Sequence, residues 1–264
     1  MNENIQNYDT YNSRMNKSMI DKLFFLDKID ISDNMPRTFI DYGCANGILI
    51  KNLAQYMNDD INFIGYDTDD EMIKEANESI KNSKASFSSD WDTVQSMAKE
   101  KFSIILSSII HEIYHYSKPS EINDFWKRIF ENKVEYIIIR DMCPSLTVDR
   151  QSDINDVSKV YNKFFGTREL NDFQTIWGSI ENNKNLIHFL LKYQYTKPNW
   201  YREVKENYIP LYKENLLAMI PTQKYQIVYY EHYTLPYIKQ KVMNDFGIEI
   251  KDPTHIKIIL KRNN

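Results

Sequence analysis

The sequence has little glycine and almost no cysteine. Only 6 of its 264 residues are glycine and 2 are cysteine. Two thiols, Cys44 and Cys143, are too few for a disulfide framework, which indicates a reducing compartment. Because glycine is so scarce, we expect each glycine where the backbone needs a conformation that other residues avoid.

Long apolar runs and an excess of basic charge are also missing. The most apolar stretch, around "FSIILSSII", is far shorter than the roughly 20 residues that a membrane helix needs. The start of the chain lacks the apolar segment typical of a signal peptide. The net charge of −4 differs from that of a strongly basic nucleic-acid binder. We therefore predict a cytoplasmic globular protein with no membrane partner, for which nucleic acid is possible but not indicated by charge.

Short apolar strands alternate with amphipathic helices between residues 38 and 142. The predicted strands include "RTFIDYG", "INFIGYD", "KFSIILSSI" and "VEYIIIRDM", with helical patterns between them. This alternation is typical of βαβ units and a parallel sheet. Mixed spacings of three and four also predict an amphipathic helix in front of them, over residues 8–30.

A long aromatic segment, residues 143–224, interrupts the alternation and is predicted to be mostly helical. The strand pattern returns with "KYQIVYYEHYTL" and "THIKIILKR", and a helix lies between these two. We therefore predict three parts. Residues 1–142 form the N-terminal helix and a cofactor-binding core, residues 143–224 form a helical lid or substrate insertion, and residues 225–264 close the core with strand, helix and strand.

The first predicted strand runs into "DYGCANG", where Asp41, Gly43, Ala45 and Gly47 occupy alternate positions. A sharp strand-to-helix turn needs glycine where φ is unusual, and small residues where a ligand approaches the backbone. The second strand ends in "IGYD", whose Asp67 can accept hydrogen bonds from both ribose hydroxyls of a nucleoside-containing cofactor. The alternatives are a turn without a ligand, and a dinucleotide fold, which would prefer G-x-G-x-x-G.

"DYGCANG", followed by "IGYD" and by an acid after the third strand, resembles class I S-adenosylmethionine-dependent methyltransferases over residues 38–142. Ala45 replaces the middle glycine of that family's acid-x-Gly-x-Gly-x-Gly pattern. The resemblance implies an α/β fold with a seven-stranded, mostly parallel, doubly wound sheet. The sequence pattern adds an N-terminal helix and a helical insertion between strands 5 and 6. The resemblance also implies S-adenosylmethionine as the cofactor and S-adenosylhomocysteine as the product.

The same resemblance assigns cofactor contacts to residues at the ends of several strands. The residues expected around the methionine part are Asp41, Gly43, Cys44, Ala45 and Gly47. Those expected at the ribose and adenine are Asp67, Thr68, Asp69, Met72, Asp90 and Trp91. Ser107 and Ser108 would line the methyl-donor pocket, and Tyr11 and Arg14 of the front helix would close over the cofactor carboxylate or form a solvated helix face.

"HEIYH", residues 111–115, matches the zinc-protease pattern H-E-x-x-H. A zinc protease would use His111 and His115 as ligands, Glu112 as general base and a third ligand downstream. The preceding "FSIILSSII" instead has the pattern of a buried strand, and no second zinc motif follows. A metal site of these three residues inside a methyltransferase is a further alternative, but we predict no metal.

The methyltransferase resemblance places "HEIYH" after the fourth strand, where ligands bind in open α/β sheets. His111 is then the candidate base, because an imidazole with an ordinary pKa of about 6.5 accepts a proton at neutral pH. The alternative is that it only packs under the cofactor. Glu112 could orient His111 or contact the substrate, and Tyr114 and His115 could line the pocket.

We therefore predict an enzyme that methylates an O or N atom, with a small or medium-sized molecule as the partner. An RNA or nucleotide methyltransferase is the first alternative, and its only support is the aromatic, slightly basic insertion. A non-catalytic cofactor-binding or regulatory protein is the second, and a zinc metalloprotease is the remote third. The sequence indicates neither the methyl acceptor nor the oligomeric state.

Overall fold

A seven-stranded sheet is the main feature of the computed structural model, which describes residues 18–30, 37–57, 60–98, 102–131, 134–195 and 199–263. The strands are β1 (Arg37–Tyr42), β2 (Ile61–Tyr66), β3 (Ala85–Ser88), β4 (Phe102–Ser107), β5 (Val134–Met142), β6 (Tyr225–Tyr233) and β7 (His255–Arg262). Their order in the sheet is β3-β2-β1-β4-β5-β7-β6.

Strands β1 to β5 form a parallel block, in which β1 pairs with β2 and β4, β2 with β3, and β4 with β5. Strands β6 and β7 run antiparallel to each other. The Thr254 N–H donates to the Tyr233 carbonyl over 3.0 Å, and the Asn263 N–H donates to the Lys224 carbonyl over 2.8 Å. The predicted α/β fold with a seven-stranded, mostly parallel sheet is therefore confirmed.

The helices of the parallel block alternate with its strands. They are α1 (Met19–Lys22), α2 (Ile48–Tyr56), α3 (Asp70–Ser79), α4 (Trp91–Met97), α5 (Ile110–Tyr116) and α6 (Pro119–Glu131). A 3₁₀ turn (Leu146–Val148) and six helices follow: α7 (Ile154–Phe164), α8 (Arg168–Trp177), α9 (Asn183–Lys192), α10 (Trp200–Glu203), α11 (Lys213–Met219) and α12 (Pro236–Phe246). No helix in the described ranges is long and apolar enough to cross a membrane.

The chain divides into two compact units. The first, here called the sheet unit, comprises Lys17–Asp141, Ile220–Glu231 and Lys257–Asn264. Its core packs helices onto the sheet through residues such as Phe39, Leu53 and Ile105, which are almost completely buried. Burial of such side chains is the main stabilising contribution, about 1.5–3 kcal/mol for each.

The second unit, here called the helical unit, includes Met142–Met219 and His232–Ile256. Its core is rich in aromatic side chains, and Phe173, Phe189 and Trp200 are buried in it. Helix α12 contributes Val242 and Phe246 to the same core. Most of its aromatic residues thus pack against each other, which is the common role of aromatics at helical spacing.

Within residues 18–30 the chain is less helical than the amphipathic pattern predicts. Of the expected helix over residues 8–30, the part before residue 18 lies outside the described residues, and only α1 is helical in the rest. Turns follow, in which Phe24 lies 5.7 Å from Tyr229 and Phe25 lies 6.3 Å from Phe39, between ring centroids. Adjacent positions do not share one face of a helix, so these two contacts override the local periodicity.

The segment from residue 200 to 220 lies in the insertion that is predicted to be mostly helical, and it does not form one continuous helix. It forms two short helices, α10 and α11, separated by residues 204–212. Pro210 lies in the gap, where its missing N–H and the restriction that it places on Ile209 disfavour a helix.

Candidate active site at the carboxyl ends of the parallel strands

The turn after β1 has an unusual backbone. Gly43 and Gly47 have φ angles of 81° and 75°, and Ala45, which is not a glycine, has a φ of 45°. The N–H groups of Gly43 and Cys44 donate to the Tyr66 carbonyl over 2.7 and 2.9 Å. The turn is therefore fixed to the end of β2, and Gly47 forms the N-terminal cap of α2.

The side chain of Cys44 faces into the sheet unit. Both it and the neighbouring Phe87 are buried around Gly65, where an added Cβ would lie 2.7 Å from the Cys44 sulfur. Burial raises the pKa of the thiol, so Cys44 is a packing group and not a nucleophile. Any cofactor contact at this position would therefore come from the backbone.

Asp67 joins the end of β2 to the turn after β1. Its carboxylate accepts the Ala45 N–H over 2.8 Å and the Asp69 N–H over 3.0 Å. Burial raises the pKa of Asp67, and these two backbone hydrogen bonds oppose the shift. The structure thus brings together the two acid-bearing motifs that the sequence predicts to share one site.

The residues after Asp67 begin α3. Asp69 is the N-terminal cap of this helix and accepts the N–H groups of Glu71 and Met72 over 3.0 and 3.3 Å. Met72 is buried, whereas Thr68 is exposed. Asp69 therefore has a structural role that is sufficient to explain its presence, independent of any contact with a cofactor.

Asp90 and Trp91 follow β3 as the sequence predicts, but their surroundings differ. Asp90 is exposed and caps α4 by accepting the Thr93 N–H over 3.0 Å, and the hydrogen bond from the Thr93 side chain lowers its pKa. The Trp91 ring lies 5.1 Å from the Tyr42 ring and 5.2 Å from the Tyr66 ring. Its indole N–H is buried without a hydrogen-bond partner among the described residues.

Ser107 and Ser108 end β4. The Ser107 hydroxyl is buried and has no hydrogen-bond partner within the described ranges. The Ser108 hydroxyl accepts an N–H from Arg140 over 2.6 Å, and Ser108 itself has a φ of 61°. Two non-glycine residues with positive φ, Ala45 and Ser108, thus lie at adjacent strand ends, and such backbones often mark functional sites.

His111 and Asp141 form a buried pair that couples the ends of β4 and β5. The Asp141 carboxylate lies 2.6 Å from the His111 Nδ1 atom and accepts the Ile110 N–H over 2.7 Å. His111 is 5 % exposed and Asp141 is 2 % exposed. The Asp141 carboxylate therefore accepts a backbone hydrogen bond at the start of α5 and also fixes the orientation of the His111 imidazole.

The other residues of "HEIYH" lie on α5 and are half-buried. Glu112 is on its first turn. The Tyr114 hydroxyl accepts the Trp126 indole N–H over 3.0 Å, and the His115 ring lies 4.4 Å from the Tyr116 ring. Tyr114 thus contributes to the packing of α5 on α6.

Asp41 is buried beside a lysine that the sequence reasoning missed. Burial raises the pKa of Asp41 to about 7; the nearby Lys22 ammonium opposes this shift, and Asp67 adds to it. Burial, together with Arg140, lowers the pKa of Lys22 to about 8. Lys22 comes from α1, far from the motifs in sequence.

Sequence reasoning also missed Asp141 and Arg140. The signal was present, because "VEYIIIRDM" ends an apolar strand with two adjacent charges. Charges at the end of a buried strand need partners or a function. Tyr11 and Arg14, predicted to close over the cofactor, lie outside the described residues.

Comparison with known proteins identifies the family to which this chain is similar in sequence. Residues 33–207 match the family model described as a methyltransferase domain. A search of curated proteins by sequence gives no match.

Several solved structures share the fold. The plantazolicin methyltransferase BamL, in complex with a triazolic desmethylPZN analogue and SAH, is 14% identical with a TM-score of 0.51, over 97% of this chain and 88% of that chain. An SAM-dependent methyltransferase from Anabaena variabilis is 13% identical with a TM-score of 0.51, over 98% and 96%. PKMT2 from Rickettsia typhi is 12% identical with a TM-score of 0.51, over 94% and 52%. At these identities the likeness concerns the fold.

Proposed function

Because this chain belongs to the family of methyltransferase domains, we propose that it transfers the methyl group of S-adenosylmethionine to an O or N atom of a small or medium-sized molecule. The observation that carries the proposal is the meeting of two features at one edge of the sheet. The turn held by Asp67 supplies a nucleoside site, and the His111–Asp141 pair supplies an oriented base.

The residues at this edge suit the cofactor. The Asp67 carboxylate has acceptor capacity beyond the two backbone bonds that it makes, as binding of ribose hydroxyls requires. The buried Ser107 hydroxyl lacks a partner among the described residues, and a polar ligand would satisfy it. The positive φ angles of Gly43 and Gly47 shape the turn at which the amino-acid part is proposed to bind. The side chains of Ile109, Ile80 and Phe87 occupy the space where a Cβ on these glycines would lie, so only glycine fits at both positions.

When bound, S-adenosylmethionine would supply an electrophilic sulfonium methyl group. The acceptor nucleophile would attack the methyl carbon in line with the carbon–sulfur bond, which breaks to release S-adenosylhomocysteine. The protein positions the acceptor and removes its proton. With Nδ1 of His111 engaged by Asp141, the base atom in this proposal is Nε2. Asp141 selects the tautomer in which Nδ1 carries the proton, and it stabilises the imidazolium that proton transfer creates.

The acceptor class is supported by two considerations. The net charge of −4 does not favour a polyanionic substrate. BamL, which shares the fold, is complexed with a desmethylPZN analogue, so this architecture can hold an acceptor of medium size. A zinc protease is set aside, since the H-E-x-x-H letters lie within a methyltransferase domain.

Calorimetry with S-adenosylhomocysteine tests the cofactor, and a panel of phenols, amines, short peptides and total RNA, incubated with S-adenosylmethionine, tests the acceptor. We expect saturable binding, and addition of one methyl group to a small acceptor detected by mass spectrometry. Transfer to RNA, with activity falling steeply as salt rises, would favour the nucleic-acid alternative. Binding without transfer to any acceptor would favour the regulatory alternative, and absence of binding would exclude the proposal.

A further inference from the structure

Lys22 is a buried lysine of the sheet unit that has no ion-pair partner within the described part of the chain. It is 9 % exposed, and among the residues that the structure describes its Nζ atom makes neither a hydrogen bond nor an ion pair. A buried cation without partners is unfavourable, and a methionine of similar length would pack there without that cost. Packing alone therefore does not account for a lysine at this position.

The charges around Lys22 lie at the ends of three elements of the site. Asp41 at the end of β1, Asp141 at the end of β5 and Glu112 on α5 all stabilise the ammonium form, whereas Arg140 opposes it. Arg140 is engaged elsewhere, because it donates to Asp21 over 2.8 Å and to the Ser108 hydroxyl. Lys22 thus lies in the field of the acids without forming an ion pair with any of them.

Asp41 is the negative counterpart of this arrangement. It is 3 % exposed and, like Lys22, makes no side-chain hydrogen bond to any described residue. A zwitterionic amino-acid group presents a carboxylate and an ammonium side by side. Lys22 and Asp41 offer the complementary pair of charges, next to the turn where the amino-acid part of the cofactor is expected.

We propose that Lys22 is a binding residue for the carboxylate of the cofactor's amino-acid part. This inference rests on the proposed function and adds a residue to it that no motif contains. A lysine ammonium provides three donors as a compact point charge, which suits a carboxylate in a confined site. The acids nearby keep the lysine charged until the carboxylate arrives.

The test compares ligands that differ only in the amino-acid part. S-adenosylhomocysteine, its decarboxylated analogue S-adenosyl-3-thiopropylamine, and methylthioadenosine are titrated by calorimetry into the wild type and Lys22→Met. We expect Lys22→Met to weaken S-adenosylhomocysteine by about 10- to 150-fold, the worth of a charge-assisted hydrogen bond, and to leave the other two ligands unchanged. Lys74→Met, an exposed lysine on α3, serves as the matched control and should change none of the three.

Several results would overturn the inference. Equal weakening of all three ligands would mean that Lys22 only supports the fold. Unchanged binding of S-adenosylhomocysteine to Lys22→Met would also overturn it. If this variant then failed to bind benzoate, a simple carboxylate, when saturated with S-adenosylhomocysteine, Lys22 would be assigned to the carboxylate of an acceptor. Retained methylthioadenosine binding shows that the variant folds, and Lys22→Gln provides a second neutral variant. If the wild type binds none of the ligands, the proposed function itself fails, which is a separate result.

Discussion

Replacement of Asp67 tests the proposed ribose site, and the hydrogen bonds of Asp67 give the size of the expected effect. A carboxylate has about four acceptor positions. Two are used by the N–H groups of Ala45 and Asp69, at 2.8 and 3.0 Å, which leaves two for the ribose hydroxyls. Each charge-assisted hydrogen bond contributes about 1.5–3 kcal/mol. Asp67→Ala removes both ribose bonds and should therefore weaken S-adenosylhomocysteine by at least about 100-fold.

Asp67→Asn separates these contributions further. The amide of asparagine keeps one oxygen and has no charge, so one backbone hydrogen bond and one ribose hydrogen bond are lost. We therefore expect about 10- to 150-fold weaker binding of S-adenosylhomocysteine. The positive φ of Ala45 is a strained conformation that costs about 1–3 kcal/mol, and the hydrogen bond to Asp67 helps to hold it. Weakening this hydrogen bond should therefore lower the melting temperature of both variants.

Calorimetry with S-adenosylhomocysteine is the assay, and Asp70→Ala, at an exposed position of the first turn of α3, is the matched control. The pH dependence provides a second measurement. Because burial raises the pKa of Asp67, its ligand-binding carboxylate is lost on acidification at a higher pH than for an ordinary aspartate. Unchanged affinity in Asp67→Asn would refute the reasoning.

Three further predictions concern the base, the packing and a buried lysine. In Asp141→Asn, the amide oxygen keeps the hydrogen bond from the Ile110 N–H and the amide NH₂ faces His111 Nδ1. The NH₂ group then donates to Nδ1, so the ring proton moves to Nε2, which can no longer act as the base; kcat should fall about 10²- to 10⁴-fold while the affinity for S-adenosylhomocysteine stays constant. An unchanged kcat would exclude His111 as the base. Gly65→Ala places a Cβ 2.4 Å from a Phe87 carbon and should destabilise the protein by about 1–3 kcal/mol in denaturant unfolding, and a neutral effect would contradict this packing. Burial lowers the pKa of Lys192 to about 7, against 10.5 for an ordinary lysine, so the unfolded chain binds more protons than the folded chain between these two pH values. The free energy of unfolding should therefore rise with pH across this window, and it should rise less steeply in Lys192→Met. Identical pH dependence in the two proteins would argue against the lowered pKa.

The fold, and the meeting of the turn after β1 with the acid at the end of β2, were predictable because their signals are local. Glycine turns, apolar runs and an acid at the end of a strand follow from backbone geometry and burial, and parallel strands bring their carboxyl ends to one edge. The positions of Gly43 and Asp67 at strand ends can therefore be predicted from short sequence motifs. The hydrogen bond from the Ala45 N–H to Asp67 follows once β1 and β2 are neighbours.

The polar partners in the rest of the site are not encoded locally. Asp141 lies 30 positions from His111 and reaches it because β5 pairs with β4, which no periodicity specifies. Lys22 lies in the electrostatic field of Asp41, and it comes from a segment in which the ring contact of Phe25 with Phe39 overrides the helical pattern. Asp90 shows the opposite case, because the acid is where the pattern predicts and the helix cap accounts for it.

The buried His111–Asp141 pair also bears on the choice between oxygen and nitrogen as the acceptor. A hydroxyl must lose its proton as it forms the new bond, and a phenol with a pKa of about 10 needs a base to do so at neutral pH. A neutral amine attacks through its lone pair and releases its proton afterwards, so a base contributes little to its transition state. The loss of kcat in Asp141→Asn should thus be large if the acceptor is a phenol and small if it is an amine that is neutral at the assay pH, so this comparison tests whether the acceptor atom is oxygen or nitrogen.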